Sequence, residues 1–167
     1  VLAALGNVIE ERPDGWLVRS GPPPQKTASG FSFETFSDTF LTLAAVAPFL
    51  PVPVTISGIA HTRHQECDRP AAMASGLRLI GARVEEYPDR LAIVPLPPGQ
   101  RRWDRDNVVI STYKDHRVAM SFALAGCRDR RGDSRPWLSI ADPQCCSKTF
   151  PGFFSELDNL YQQSHDQ

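Results

Sequence analysis

Two short stretches hold most of the chemistry this chain could perform. One is Tyr113-Lys114-Asp115-His116-Arg117-Val118-Ala119-Met120, and the other runs from Ala141 through Lys148 to Phe154. Each places charged groups just before or within the first turn of an expected helix. A helix N-terminus carries about half a positive charge and several unpaired N–H groups, so it attracts anions. Arg117 and Lys148 add full positive charge at these two places. The combination points to a small ligand bearing more than one negative charge.

Other polar residues fall at the same kind of place, a loop leading into a helix. Asp38 lies in SDTFLTLAA, and Arg63, Glu66, Asp68 and Arg69 lie in HTRHQECDRP. Each has a plain structural reading when taken alone. Asp38, Asp68 and Asp115 suit helix N-caps. Arg69 suits a surface partner of Asp68, and His116 a satisfied interior histidine. Together, Asp38, Glu66, Arg69, Arg117 and Lys148 form a charged cluster that a fold alone does not need.

The elements that would position them come in a repeat. Leu2 to Pro23 and Leu77 to Pro98 align without gaps at an offset of 75, sharing Gly6/Gly81, Glu10-Glu11/Glu85-Glu86, Pro13-Asp14/Pro88-Asp89 and Pro22-Pro23/Pro97-Pro98. In each copy a helix stops at glycine. Short strands flank a Pro-Asp turn: Val8-Ile9 and Trp16 to Val18, then Val84-Glu85 and Leu91 to Val94. Pro-rich loops follow, Gly21 to Gln25 and Pro95 to Gln100. Helices are expected over Asp38 to Phe49 (capped by Ser37 or Asp38), Glu66 to Leu79, Arg117 to Ala125 and Lys148 to Leu160. Pro70 and Pro151 would sit in first turns. Strands are expected over Val52 to Ile59 and Trp137 to Ile140. The pattern is a strand-helix-strand-helix-strand-strand cycle: the end of one repeat over 1–25, a full one over 31–99 and most of a third over 105–160. This predicts an α/β fold, with the first, truncated copy leaving a sheet edge unpaired.

The composition narrows the partners. The formal net charge is -1, from 18 basic and 19 acidic residues, so a nucleic-acid partner is not expected. Fifteen of the basic residues are Arg and only Lys26, Lys114 and Lys148 are Lys. Arginine suits bidentate binding of carboxylate or phosphate, and lysine is a compact charge that can also move a proton. No apolar run is long enough for a membrane helix, because Pro48, Pro51 and Pro53 break the nearest one. Cys67, Cys127, Cys145 and Cys146 lack metal-site spacing and read as reduced cytosolic thiols. The chain starts mid-pattern at Val1, which suggests a piece of a longer protein. The Arg131-Gly132-Asp133 tripeptide reads as a chance match to an integrin motif.

The residues resemble the 3-phosphoshikimate 1-carboxyvinyltransferase family, also called 5-enolpyruvylshikimate-3-phosphate synthase. The resemblance rests on SDTFLTLAAVAPF, on Arg63-x-x-Glu66-x-Asp68-Arg69, on Asp115-His116-Arg117-Val118-Ala119-Met120 and on the run from Asp142 to Pro151. Asp-His-Arg and Lys-Thr-Phe-Pro also separate it from the sister enzyme acting on UDP-N-acetylglucosamine. The resemblance implies two domains, each an inside-out α/β barrel of three such units, with the site in the cleft between them. This chain would then be an incomplete domain, the C-terminal part of the second. The implied reaction transfers the enolpyruvyl group of phosphoenolpyruvate to the 5-hydroxyl of shikimate 3-phosphate, with release of phosphate. No metal or organic cofactor is implied. The expected location is the cytoplasm, and the other domain is the implied partner.

Residue by residue, the resemblance implies that Arg69, Arg117 and Lys148 bind phosphoenolpyruvate. Glu66 would be the acid for its methylene carbon. Asp38 would contact the shikimate hydroxyls and move their proton, so that Asp38, Glu66 and Lys148 form the implied catalytic set. Gln65, His61 and His116 are further substrate-side positions. Two of them depart from the family pattern: Gln65 stands where a lysine often contacts the shikimate phosphate, and His61 where an asparagine is frequent. These departures leave open a fold relative acting on another alcohol, and the missing half of the implied cleft leaves open a non-catalytic, anion-binding fragment.

Overall fold

The computed structural model describes residues 1–21, 29–96, 107–129, 132 and 135–165. The repeat boundaries expected at 25, 99 and 105, the Pro-rich loops beyond Gly21 and Leu96, and most of the Arg-Gly-Asp tripeptide lie outside them.

The central copy forms in full. Strand β3 (Ser29–Ser32) leads through helix α1 (Phe40–Val46) to β4 (Val54–Ser57), and helix α2 (Arg69–Leu79) leads to the hairpin of β5 (Arg83–Tyr87) and β6 (Arg90–Val94). The sheet order is β3-β4-β6-β5. β3 and β4 are parallel, as a helical crossover requires, whereas β4–β6 and β5–β6 are antiparallel. The flanking copies each contribute two strands. β1 (Val8–Arg12) and β2 (Gly15–Arg19) make an antiparallel hairpin matching β5–β6. β7 (Val108–Ile110), α3 (His116–Gly126) and β8 (Leu138–Ile140) repeat the parallel crossover, followed by α4 (Phe153–His165). Among the described residues neither two-stranded sheet gains a third strand.

The core lies where helices meet the central sheet. Phe33, Phe40, Leu41, Ile56, Met73, Leu77, Leu91, Ile93 and Phe122 are buried in one cluster. α1 packs on α3, and α2 on β5. Gly76 allows α2 and α3 to approach, since an added Cβ would stand 2.3 Å from the Phe122 ring. After β4 the chain turns at Gly58, whose φ of +74° and 2.8 Å approach to the Glu34 backbone both call for glycine. The β5–β6 turn ties down this loop, because the Asp89 carboxylate accepts from the N–H groups of Gly58 and Ala60.

Several elements start later than the sequence suggests. The stretch from Asp38 to Phe49 is α-helical only over Phe40–Val46, between 3₁₀ turns at Ser37–Thr39 and Ala47–Phe49. Neither Ser37 nor Asp38 caps it; Phe36 and Thr39 precede the two helical segments without side-chain caps. The Asp38 carboxylate faces two arginines instead, and charged donors outcompete a backbone N–H. α2 begins at Arg69 with Asp68 as its cap and Pro70 in its first turn, leaving Glu66 in the preceding bend. α4 begins at Phe153, so Lys148 ends a 3₁₀ segment over Pro143–Lys148 and Pro151 precedes the helix rather than entering its first turn. The β-branched strand contracts to Val54–Ser57, and Trp137 lies just ahead of β8.

Candidate functional site

Asp115 anchors the site. As the N-cap of α3 its Oδ1 accepts from the Arg117 backbone N–H at 2.8 Å, a local consequence of a short carboxylate before a helix. Its Oδ2 accepts from Arg69 Nε at 2.8 Å, and the carboxylate is fully buried. Burial pushes the Asp115 carboxyl up, but the Arg69 guanidinium and the N–H groups of Arg117 and Val118 outweigh it. They hold the group below the usual carboxylate range. The chain enters this cap through Tyr113 and Lys114, with φ of 55° and 60°. Two successive non-glycine residues with positive φ are uncommon and mark a backbone held by its surroundings.

Arg69, the first residue of α2, is 3% exposed and reaches outward from Asp115 to the surface. Its Nη1 donates to Asp38 Oδ1 at 2.8 Å and to the Gln65 side-chain oxygen. Burial pulls its pKa down, but the bonds to Asp115 and Asp38 raise it above the ordinary arginine value, so the guanidinium stays charged. Asp38 Oδ2 meets Arg117 Nη2 at 2.8 Å. One half-exposed carboxylate thus spans two arginines carried by two different helices.

A second cluster adjoins the first. Glu66 Oε2 lies 3.1 Å from His116 Nδ1, and Glu66 Oε1 accepts from the Lys148 ammonium. His116 is buried, so α3 and the 3₁₀ segment ending at Lys148 converge on Glu66. His61 sits beside α1, with Nε2 2.7 Å from Ser37 Oγ.

The predicted residues other than His61 therefore come together in two groups. Asp38, Gln65, Arg69 and Arg117 form one connected group, and Glu66, His116 and Lys148 another. One simpler pairing gives way. Arg69 pairs with Asp115 and Asp38 rather than Asp68, because Arg63 takes Asp68 at 2.9 Å together with Glu86 and the Tyr87 and Pro88 carbonyls. Arg63 is thereby a brace between α2 and the β5–β6 hairpin. The sequence alone marks Asp115 only as a cap. The Arg-x-x-Glu-x-Asp-Arg and Asp-His-Arg motifs contain both partners of the Arg69–Asp115 pair, but not their pairing.

Glu66, Asp115 and His116 offer donor atoms within 4.8 Å of one another, the spacing a metal ion would use. Asp115 is already neutralised by Arg69 and Glu66 by Lys148, so the trio reads as an ion-pair network. Burial first, and then the Asp115 charge, push the Cys67 thiol up to about 12, which suits it poorly as a nucleophile. No helix among the described residues is long and apolar enough to cross a membrane.

What this arrangement defines is an α/β repeat with paired arginines at two helix starts and a lysine–glutamate couple beside them, a class of site suited to a small polyanion. Residues 1–157 match the family model for EPSP synthase (3-phosphoshikimate 1-carboxyvinyltransferase), and the chain belongs to that family. It is 56% identical over 133 residues to the 3-phosphoshikimate 1-carboxyvinyltransferase of Opitutus terrae, covering 80% of this chain and 30% of that one. It is 38% identical over 165 residues to that of Nostoc punctiforme, covering 98% and 35%. The chain thus spans about a third of the length of these curated relatives. Its fold matches the EPSP synthase structure from Acinetobacter baumannii with a TM-score of 0.68 at 24% identity, over 96% of this chain and 37% of that one.

Proposed function

We propose that this chain supplies part of the site of an enzyme that transfers the enolpyruvyl group of phosphoenolpyruvate to the 5-hydroxyl of shikimate 3-phosphate. The observation that carries the reading is the convergence of Arg69 and Arg117 on one carboxylate. Asp38 occupies the position between two guanidiniums that an anionic substrate group would take. Two fork-shaped donors held on separate helices suit a carboxylate or phosphate better than a single lysine would.

In this reading Glu66 delivers a proton to the methylene carbon of phosphoenolpyruvate. The shikimate hydroxyl oxygen attacks the adjacent carbon, and Asp38 takes the hydroxyl proton. A tetrahedral intermediate results. Its methyl group returns a proton to Glu66 as the carbon–oxygen bond to phosphate breaks, which restores the double bond, and the departing phosphate carries away the proton held by Asp38. Lys148 stabilises the charge on the departing phosphate. His116 holds Glu66 from the buried side, and Gln65 and His61 line the shikimate side. A positioned acid or base contributes roughly 10²–10⁴-fold, and fixed charges aimed at the reacting atoms supply much of the remaining acceleration.

The domain assignment is part of the same proposal: the chain is the C-terminal part of the second of two domains, and the site is completed by the other domain. The activity thus belongs to the whole protein, and the 167-residue chain alone binds anions without turnover. Phosphate release from phosphoenolpyruvate and shikimate 3-phosphate tests both statements. The full-length protein should turn over and the isolated chain should not. A full-length protein that releases phosphate only with a different alcohol would overturn the assignment of shikimate 3-phosphate.

A further inference from the structure

Two thiols stand side by side in this chain and take no part in the chemistry above. Cys145 and Cys146 are consecutive residues of the 3₁₀ segment Pro143–Lys148. Cys146 is 2% exposed, and its thiol makes only a long contact to the His116 carbonyl, at 3.8 Å. Cys145 is half-buried beside it, and each thiol is close enough to perturb the other. The remaining cysteines stand apart in the sequence and have other partners. The Cys67 thiol donates to Asp115 Oδ2 at 3.6 Å, and the exposed Cys127 donates to the Ala123 carbonyl at 3.5 Å.

Spacing and proton affinity decide what such a pair can hold. Neighbouring Cα atoms are about 3.8 Å apart, below the roughly 4.4–6.8 Å that a disulfide normally spans, so a direct S–S bond would strain the segment. A bridging atom removes the need for the sulfurs to touch. A soft divalent cation would bind two thiolates and release both protons. Burial first, and then the neighbouring Cys145, push the Cys146 thiol up to about 12, and burial raises Cys145 as well, which opposes that release. A trivalent arsenical condenses with thiols without net proton release. R–As(OH)₂ and two Cys–SH groups give R–As(S–Cys)₂ and two waters. Two As–O bonds break, two As–S bonds form, each hydroxyl leaves with a thiol proton, and arsenic stays trivalent.

We propose that Cys145 and Cys146 form a chelating dithiol site for trivalent organoarsenicals. Cys145, the more accessible of the two, makes the first As–S bond. Cys146 then leaves its weak contact with the His116 carbonyl and closes the ring. The second bond is intramolecular, so the high effective concentration of the adjacent thiol drives it. Cys67 and Cys127, each without a neighbouring thiol in the sequence, offer only single, reversible As–S bonds. The proposal stands on the thiol pair and does not depend on the enolpyruvyl chemistry.

Intact-mass measurements on the reduced 167-residue chain test it, with phenylarsonous acid as the probe and circular dichroism to show that each sample is folded. The wild-type chain should take up one phenylarsenic group with loss of two waters. That adduct should survive an excess of the monothiol β-mercaptoethanol and be removed by the dithiol dithiothreitol. Cys145→Ser and Cys146→Ser should each weaken binding by roughly 10²–10⁴-fold, the gain that linking two contacts supplies. Cys67→Ser and Cys127→Ser should bind as wild type does. Cys146 is buried, so Cys145→Ser at the more accessible position carries the test if Cys146→Ser does not fold. A wild-type adduct that the monothiol strips, or one that persists undiminished in Cys145→Ser, would overturn the proposal. So would an adduct lost in Cys67→Ser or Cys127→Ser, since the bridge would then lie elsewhere.

Discussion

Asp38 and Arg69 meet through a 2.8 Å ion pair although 31 residues separate them, and the same carboxylate reaches Arg117 on the next copy of the repeat. An internal carboxylate thus holds the place proposed for a substrate anion. In the proposed reading, ligand binding and Asp38 pairing compete for the same guanidinium donors.

That competition sets the first expectation. Asp38→Asn removes the competing charge while keeping the size of the side chain. Phosphoenolpyruvate should then bind the isolated chain more tightly, by roughly two- to fivefold, because a half-exposed pair contributes only about 0.2–1 kcal/mol. Calorimetric titration reads this directly. Unchanged or weaker binding would show that the anion does not enter between Arg69 and Arg117.

Asp115 governs stability at low pH. Its folded pKa lies below the ordinary value of 3.8, so the unfolded chain takes up the proton first as pH falls. The stabilisation is fully present above about pH 5 and is lost as pH falls through the folded value. Asp115→Ala should cost about 3–5 kcal/mol at pH 7, since it strands the buried Arg69 charge. The gap between wild-type and variant urea midpoints should be smaller at pH 3 than at pH 7.

Lys148 and Glu66 should separate binding from chemistry in the full-length enzyme. Lys148→Met removes one charge-assisted contact worth roughly 1.5–3 kcal/mol, so the KM for phosphoenolpyruvate should rise about 10–150-fold. Glu66→Gln keeps the size and hydrogen bonding but cannot deliver a proton. Its kcat should fall by roughly 10²-fold or more, with little change in binding. Steady-state kinetics with both substrates varied distinguish the two, and an intact kcat in Glu66→Gln would reduce Glu66 to the ion-pair partner of Lys148.

Gly76 measures how tightly α2 and α3 are packed. Alanine usually favours a helix interior over glycine by about 1 kcal/mol. Here its Cβ would meet the Phe122 ring at 2.3 Å, and overpacking costs about 1–3 kcal/mol. Gly76→Ala should therefore destabilise the chain on balance, and Gly76→Ala with Phe122→Leu should recover part of the loss. Thermal melts of the three variants check this.

The local features were legible in the amino-acid sequence because each depends on a few neighbouring residues. Asp68 and Asp115 cap helices from the positions their motifs suggest, and the turn at Pro88-Asp89 joins two strands as its composition implies. The repeat also fixed the order of strands and helices, since an ungapped offset of 75 can be read without coordinates. The helices begin later than Asp38, Glu66 and Lys148, where the sequence places their starts, because local propensity contains no information about the ion pairs that claim those side chains. Partner choice was decided by the tertiary structure alone. Asp38, Arg69 and Asp115 become neighbours only when α1, α2 and α3 pack around the central sheet. An ion pair depends on angstrom-scale distances set by that packing, whereas a motif records only which groups are available to form it.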